Sequence, residues 1–226
     1  MKIIFEDNHL LVIEKPIGIL SQKDKSGDED ISSLLKKYLK EKYSKPGNVY
    51  IGHVHRLDRN VGGVMVFAKT TKAASRISLQ IREGIFKKEY LAVLEGVLKE
   101  KQGTLKHYLM KDKKTNIVKA SAVSKAGYKQ SLLSYSVVEE KSNMTFVKID
   151  LLTGRSHQIR VQFSEIGHPV IGDSKYGSKK TTFKMALWSY QISFLHPTRK
   201  EKVLFSCVPQ KNALWNIFSV HKKDLI

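Results

Sequence analysis

At 226 residues, 41% hydrophobic and 27% charged, the chain has a globular balance and length enough for one substantial core or two small domains sharing a cleft. No stretch approaches the roughly 20 apolar residues of a bilayer span, the N-terminus MKIIFEDNHL lacks a signal peptide's apolar core, and the single cysteine, Cys207, excludes an internal disulfide framework or a multi-cysteine zinc site. Forty Lys and Arg against 21 Asp and Glu give a formal charge of +19, which points to a polyanionic partner, nucleic acid above all, for a cytosolic chain.

In chain order, residues 3–5 and 10–14 read as short strands that turn at Asp7-Asn8 and end at Lys15-Pro16-Ile17-Gly18. The polar stretch SQKDKSGDED is a loop, after which Asp30 is placed to cap a helix running to Tyr43, with Ile31, Leu34, Leu35 and Tyr38 on its inner face. A loop at Pro46-Gly47-Asn48 leads into HVHRLDRNVGG, and the unbroken apolar run Val64–Ala68 predicts a strand buried on both faces. Thr70 or Thr71 caps a second helix to about Glu83, with Ala74, Ile77 and Ile81 inward. Strands follow at 86–95, 103–110, 117–123, 128–138 and 145–152, the last alternating Val147, Ile149 and Leu151 with Lys148 and Asp150. A helix is expected from Ser156, which can cap its start, to Ile166, before Gly167-His168-Pro169. Strands at 187–194 and 202–206 and a short terminal helix complete the chain. Strands outnumber helices and mostly succeed one another directly, which predicts an α+β fold with a large, mainly antiparallel or mixed sheet.

The motif His53–Gly63 gathers two histidines, two arginines and one carboxylate at the mouth of the buried strand. A His-x-His pair can chelate zinc, but Arg56 and Arg59 would repel a dication, so no metal is expected. Neighbouring arginines hold a carboxylate ionised, and an ionised, partly desolvated Asp58 could attack an electron-poor carbon. Read alone, the same spacing also fits an Arg–Asp bridge that merely pins a loop. Further on, Thr153-Gly154 forms a turn, and the free amides of the following helix start, with Arg155 and Arg160 nearby, would suit a phosphate. Residues 99–129 hold nine lysines and only two acids, a candidate track for a nucleic-acid backbone.

These stretches together resemble the RluA-type pseudouridine synthases. HRLD followed by glycines and an apolar strand is similar to that family's catalytic motif. IEKPIGIL (13–20) resembles its Lys-Pro-x-Gly element, KKEYLAVLEG (87–96) the strand bearing its active-site tyrosine, and TGRSHQIRVQFSEIGHPVIGDSKYG (153–177) its third block, all in the family's order. LHPTRKEKVLFSCVP near the end is similar to its closing strands. The resemblance implies one catalytic domain over 1–226 around a central cleft, with no N-terminal S4-type RNA-binding domain, since the Lys-Pro element begins at Lys15.

It further implies a cofactor-free and metal-free isomerisation of uridine to pseudouridine in ribosomal or transfer RNA. Asp58 corresponds to the catalytic aspartate, Tyr90 to the tyrosine against the target base, Arg155 to the arginine paired with the carboxylate, and Leu152 to the aliphatic side chain beside the base. Arg56 is expected to fill the gap left by the flipped base, and His55 to contact phosphate or sugar or to shape the loop. Read without the family, Tyr90 is a strand aromatic, Leu152 is core and Arg155 a phosphate anchor. One departure stands out: Val61-Gly62-Gly63 occupies the place of the family's usual Thr-Ser-Gly, removing two hydroxyls. That departure motivates the competing reading, a non-catalytic RNA-binding or assembly protein that keeps the fold. The high charge disfavours self-association through basic faces, so a monomer is expected.

Overall fold

The computed structural model describes residues 1–24, 27–210 and 212–218. In chain order its strands are β1 (Lys2–Glu6), β2 (Leu10–Lys15), β3 (Gly52–His53), β4 (Gly62–Ala68), β5 (Lys87–Glu95), β6 (Gln102–Lys111), β7 (Val118–Ser121), β8 (Lys129–Lys141), β9 (Met144–Leu151), β10 (Leu187–Leu195) and β11 (Lys202–Ser206). The helices are α1 (Ile31–Lys42), α2 (Thr71–Arg82) and α3 (Gln158–Glu165), with short 3₁₀ turns at Ser174–Tyr176 and Trp215–Ile217. The expected α+β architecture, rich in strands and poor in helices, is present. The expected terminal helix is a single 3₁₀ turn as far as Phe218, and the remainder of that expectation lies outside the described residues. Two compact units divide the chain: Met1–Lys87 with Ser189–Cys207, and Lys88–Trp188 with the chain from Val208 onward.

In the first unit the strand order is β1-β2-β4-β10, with β3 also pairing β4 and β11 pairing β10. The Asp7 carboxylate accepts the amides of His9 and Leu10, both at 2.7 Å, and so sets the turn from β1 into β2. Leu10–Ile13 and Val64–Ala68 have no exposed surface, as an apolar run without polar alternation requires. Gly63 is indispensable here: its φ is 121°, and a Cβ would stand 2.2 Å from the Ser189 carbonyl oxygen.

Both helix caps fall where expected. The Asp30 carboxylate accepts Ser33 N–H at 3.2 Å and the Thr70 hydroxyl accepts Ala73 N–H at 3.2 Å. The buried faces are rotated from those expected. In α1 they are Ile31, Ser32, Leu35 and Leu39, whereas Leu34 and Tyr38 are half-buried and the Tyr38 hydroxyl donates to Glu6 at 2.9 Å. In α2 they are Ala73, Ile77 and Gln80. The Gln80 amide both donates to and accepts from the backbone of Leu195 at 2.8 Å, which makes its burial affordable. Thr70→Ala is expected to lower unfolding stability by about 1 kcal/mol in a urea titration, with Thr70→Ser close to unchanged.

In the second unit the order is β5-β9-β8-β6-β7, every pair with a described register antiparallel. β9 shows the alternation expected of it, with Val147 and Ile149 buried against exposed Asp150. Strands β6 and β7 and the start of β8 carry the lysine-rich segment, and all nine of its lysines are exposed. Leu109 and Val118 of the same strands pack inward on Val161 and Tyr176. The helix after Gly154 begins two residues later than expected. Ser156 does not cap it; His157 does so in a left-handed conformation at φ 51° and without a side-chain bond. The entry is secured instead by Gln158, whose Oε1 accepts Thr153 Oγ1 at 2.8 Å and Arg155 N–H at 3.0 Å.

Candidate active site

The HRLD loop joins β3 to β4, and the segment 15–21 after β2 fastens it. Lys15, fully buried at the end of β2, donates from Nζ to the carbonyls of Pro16 at 3.0 Å, Arg59 at 3.2 Å and Val61 at 2.9 Å. Ser21 Oγ donates to Leu57 O at 2.7 Å and accepts Leu57 N–H at 3.1 Å. Gly18 N–H donates to Arg59 O at 2.8 Å, and Arg59 Nε returns a bond to Gly18 O at 2.9 Å. Val61 N–H closes a tight turn on Asp58 O at 3.0 Å. Together these contacts fix the loop around the departure from the family pattern: Val61 is buried and its carbonyl is held by an ammonium.

Asp58 is half-buried at the start of this turn. Burial lowers the Lys15 ammonium to a pKa of about 8, and the Asp58 charge opposes that fall. Lys15 is therefore a cation close enough to feel the carboxylate while bonded to the loop that carries it. The flanking arginines divide differently from expectation. Arg59 turns away to form an ion pair with Asp28 at 2.6 Å, while Arg56 is exposed. The Arg59–Asp28 pair thus ties the HRLD loop to the polar segment before α1.

The histidines are occupied by the scaffold. His55 Nε2 accepts Val66 N–H from β4 at 3.0 Å, and its ring packs on Phe86 with centroids 5.5 Å apart. This geometry suits the loop-shaping role. His53 Nε2 is hydrogen-bonded to Ser32 Oγ, and burial lowers its pKa, with Lys36 and Arg56 adding to the effect and Asp30 opposing it. Facing different partners, the two rings do not form a chelate. Among the described residues no three His, Cys, Asp or Glu side chains gather as metal ligands, and no helix is long and apolar enough to cross a membrane.

Tyr90, Leu152, Arg155 and Arg160 belong to the second unit. Tyr90 is 6% exposed in the middle of β5, opposite Ile149 of β9. Leu152, just past the end of β9, is 49% exposed, so the core reading of that residue is overturned by its position at a strand mouth. Arg155 is exposed, with Nε donating to Gln130 O at 3.2 Å. Its amide is taken by Gln158, so the helix start offers fewer free N–H groups than an anion site would want. Arg160 is buried and forks onto Asp173 with bonds of 2.6 and 2.8 Å, its guanidinium 4.9 Å from the Tyr176 ring centroid. That commitment makes Arg160 a brace of the GDSKYG segment and leaves its guanidinium facing protein, not an RNA backbone. Reading the sequence assigned no task to Lys15, Ser21, Gln158 or Asp173. A lysine at the end of the apolar run LLVIEK was the one signal that could have singled out Lys15, since a charge there must be used.

Residues 9–165 match the family described as RNA pseudouridylate synthase. This chain belongs to that family. A pseudouridine synthase of Bacillus subtilis (strain 168), YhcT, called an uncharacterized RNA pseudouridine synthase, is 33% identical over 90% of the chain and 67% of its own length. The ribosomal large subunit pseudouridine synthase C of Buchnera aphidicola subsp. Baizongia pistaciae is 32% identical over 90% of the chain but only 65% of its own. The chain thus spans about two thirds of the length of those synthases. It covers far more of the dual-specificity RNA pseudouridine synthase RluA of Pasteurella multocida (strain Pm70), which is 33% identical over 92% of the chain and 93% of its own length. Among solved structures, human RNA Pseudouridylate Synthase Domain Containing 1 superposes with a TM-score of 0.72 at 26% identity, covering 92% of this chain and 83% of that one. The human Domain Containing 4 protein reaches 0.78 at 20% identity, covering 93% and 89%, and shares the fold. The synthases named here are isomerases that act on RNA.

Proposed function

We propose that this chain isomerises uridine to pseudouridine within ribosomal or transfer RNA, with Asp58 as the reacting carboxylate. The C1′–N1 glycosidic bond breaks, the uracil turns over, a C1′–C5 bond forms, and the C5 proton is lost as N1 gains one. The carrying observation is the Asp58 turn itself, a half-buried carboxylate on a loop tied down by Lys15, Gly18 and Ser21. Such fixation keeps the carboxylate aimed without reorganisation during the reaction. A loop built only to bind RNA would have no need of it. Tyr90 holds the face of the uracil, with Leu152 at its edge, and Arg155 serves the carboxylate's charge, as the family resemblance assigns. Arg56, exposed on the same loop, supplies a planar group to stack where the base has left. The base must leave its stack at a cost of a few kcal/mol, which favours loops and distorted helices. The nine exposed lysines of 99–129 supply non-specific attraction for the backbone.

Wild-type protein is expected to release tritium from total RNA labelled at uridine C5, and pseudouridine mapping with and without the protein should locate the sites in ribosomal or transfer RNA. RNA that is bound yet never turned over would establish the binder instead.

A further inference from the structure

Lys88 stands two residues before Tyr90 in β5, so the two side chains leave the same face of the strand, with Cα atoms about 6.6 Å apart along it. Glu89, between them, leaves from the other face and pairs with Lys148 at 3.0 Å. The Lys88 ammonium lies over the turn after β9: a methyl group on Gly154 would be only 2.9 Å from Nζ. It is therefore one residue from Arg155, at the end of the strand pair that presents Tyr90. Arg155 and Lys148 each have a protein acceptor, Gln130 O and Glu89. Among the described residues Nζ of Lys88 has no such acceptor, and burial alone acts on its ionisation, lowering it. An ammonium drawn partly out of water without a counter-ion is unfavourable unless a ligand brings the missing charge.

We propose that Lys88 binds a non-bridging oxygen of the phosphodiester adjoining the target uridine, holding the backbone while the base lies on Tyr90. The assignment rests on the uridine-isomerising reading for which nucleotide is held, but the anion contact itself is independent of turnover. Side chains two residues apart on one strand face leave Cα atoms about 6.6 Å apart, the scale that separates a base from its own backbone. Gly154 contributes by having no side chain: a Cβ there would push the ammonium aside, and its backbone is compatible with alanine.

The test uses the full chain and a short RNA that it modifies, in three forms: all-phosphate, or with an uncharged methylphosphonate on the 5′ or the 3′ side of the target uridine. Lys88→Met is expected to lower kcat/KM on the all-phosphate RNA roughly 10- to 100-fold, mainly through KM, with Lys88→Arg recovering most of it. At one of the two linkages the methylphosphonate should impair wild type by a similar factor and Lys88→Met by little. Gly154→Ala should weaken binding in the wild-type background and add nothing to Lys88→Met. In fluorescence-anisotropy titrations, the slope of log affinity against log salt should be shallower for Lys88→Met by about 0.7. An unchanged kcat/KM in Lys88→Met, or a methylphosphonate penalty equal in both proteins at both linkages, overturns the proposal. Should wild type bind these RNAs without turnover, the catalytic reading fails alone, and the anisotropy comparison still decides the Lys88 contact.

Discussion

Asp58→Asn is expected to reduce tritium release by about 10⁴-fold or more while leaving the protein folded. The substitution keeps the shape of the side chain and removes only its charge and nucleophilicity. The loop should survive it, because its fastenings are backbone carbonyls and amides: Lys15 on Arg59 O and Val61 O, Ser21 on Leu57, and Val61 N–H on Asp58 O. One secondary effect has a definite sign. The Asp58 charge raises the ionisation of Lys15 against the lowering by burial, so in Asp58→Asn the lysine should titrate below its wild-type position near pH 8. Thermal melts at pH 7, RNA affinity and tritium release separate the outcomes. Retained affinity and melting with turnover lost assigns the chemistry to Asp58. Turnover equal to wild type would remove Asp58 from the reaction, and lost folding would make it a structural anion instead.

What was legible in the sequence depended on whether the controlling interaction is local. Caps at Asp30 and Thr70 were readable because the acceptor and its amide are three residues apart, and the buried strand β4 because five apolar residues in a row leave few alternatives. The start of α3 was not, since it is set by Gln158 reaching back to Thr153 and Arg155, a latch that overrides the capping preference of Ser156. Helix faces slipped by one position where a polar residue found a distant backbone partner, as Gln80 does on Leu195. The site shows the same division. Asp58, Tyr90 and Arg155 could be named from ordered motifs, whereas the task of Lys15 depends on carbonyls 44 and 46 residues away. Arg160 illustrates the opposite error: beside a helix start it reads as an anion ligand, but Asp173, 13 residues on, claims it. Composition located the basic segment, and the sheet then showed its lysines to be outward-facing, because the alternate positions of β6 and β7 pack on Val161 and Tyr176.

Lys15→Met is expected to destabilise the protein by roughly 3 kcal/mol at pH 7 and to depress turnover more than stability alone explains. Methionine fills a similar volume but offers no donor, leaving the carbonyls of Pro16, Arg59 and Val61 without the ammonium that now joins them. Relief of the buried charge offsets part of that loss. The pH dependence gives a sharper test, since stability and activity should move in opposite directions. Lys15 titrates near pH 8 when folded and near 10.4 when unfolded, so between those values the unfolded chain binds the extra proton. Its contribution to stability therefore rises with pH across that window, by at most about 3 kcal/mol, and is flat below it. Over the same window the folded protein loses the positive charge beside Asp58 and one donor to the loop, so turnover should fall. In denaturant titrations the gap between wild type and Lys15→Met should widen from pH 8 to pH 10, as wild-type tritium release declines. Lysine-selective NMR gives the direct measurement. A Lys15 resonance titrating above pH 10, or a stability gap that narrows with rising pH, would refute the buried-charge account of how this loop is held.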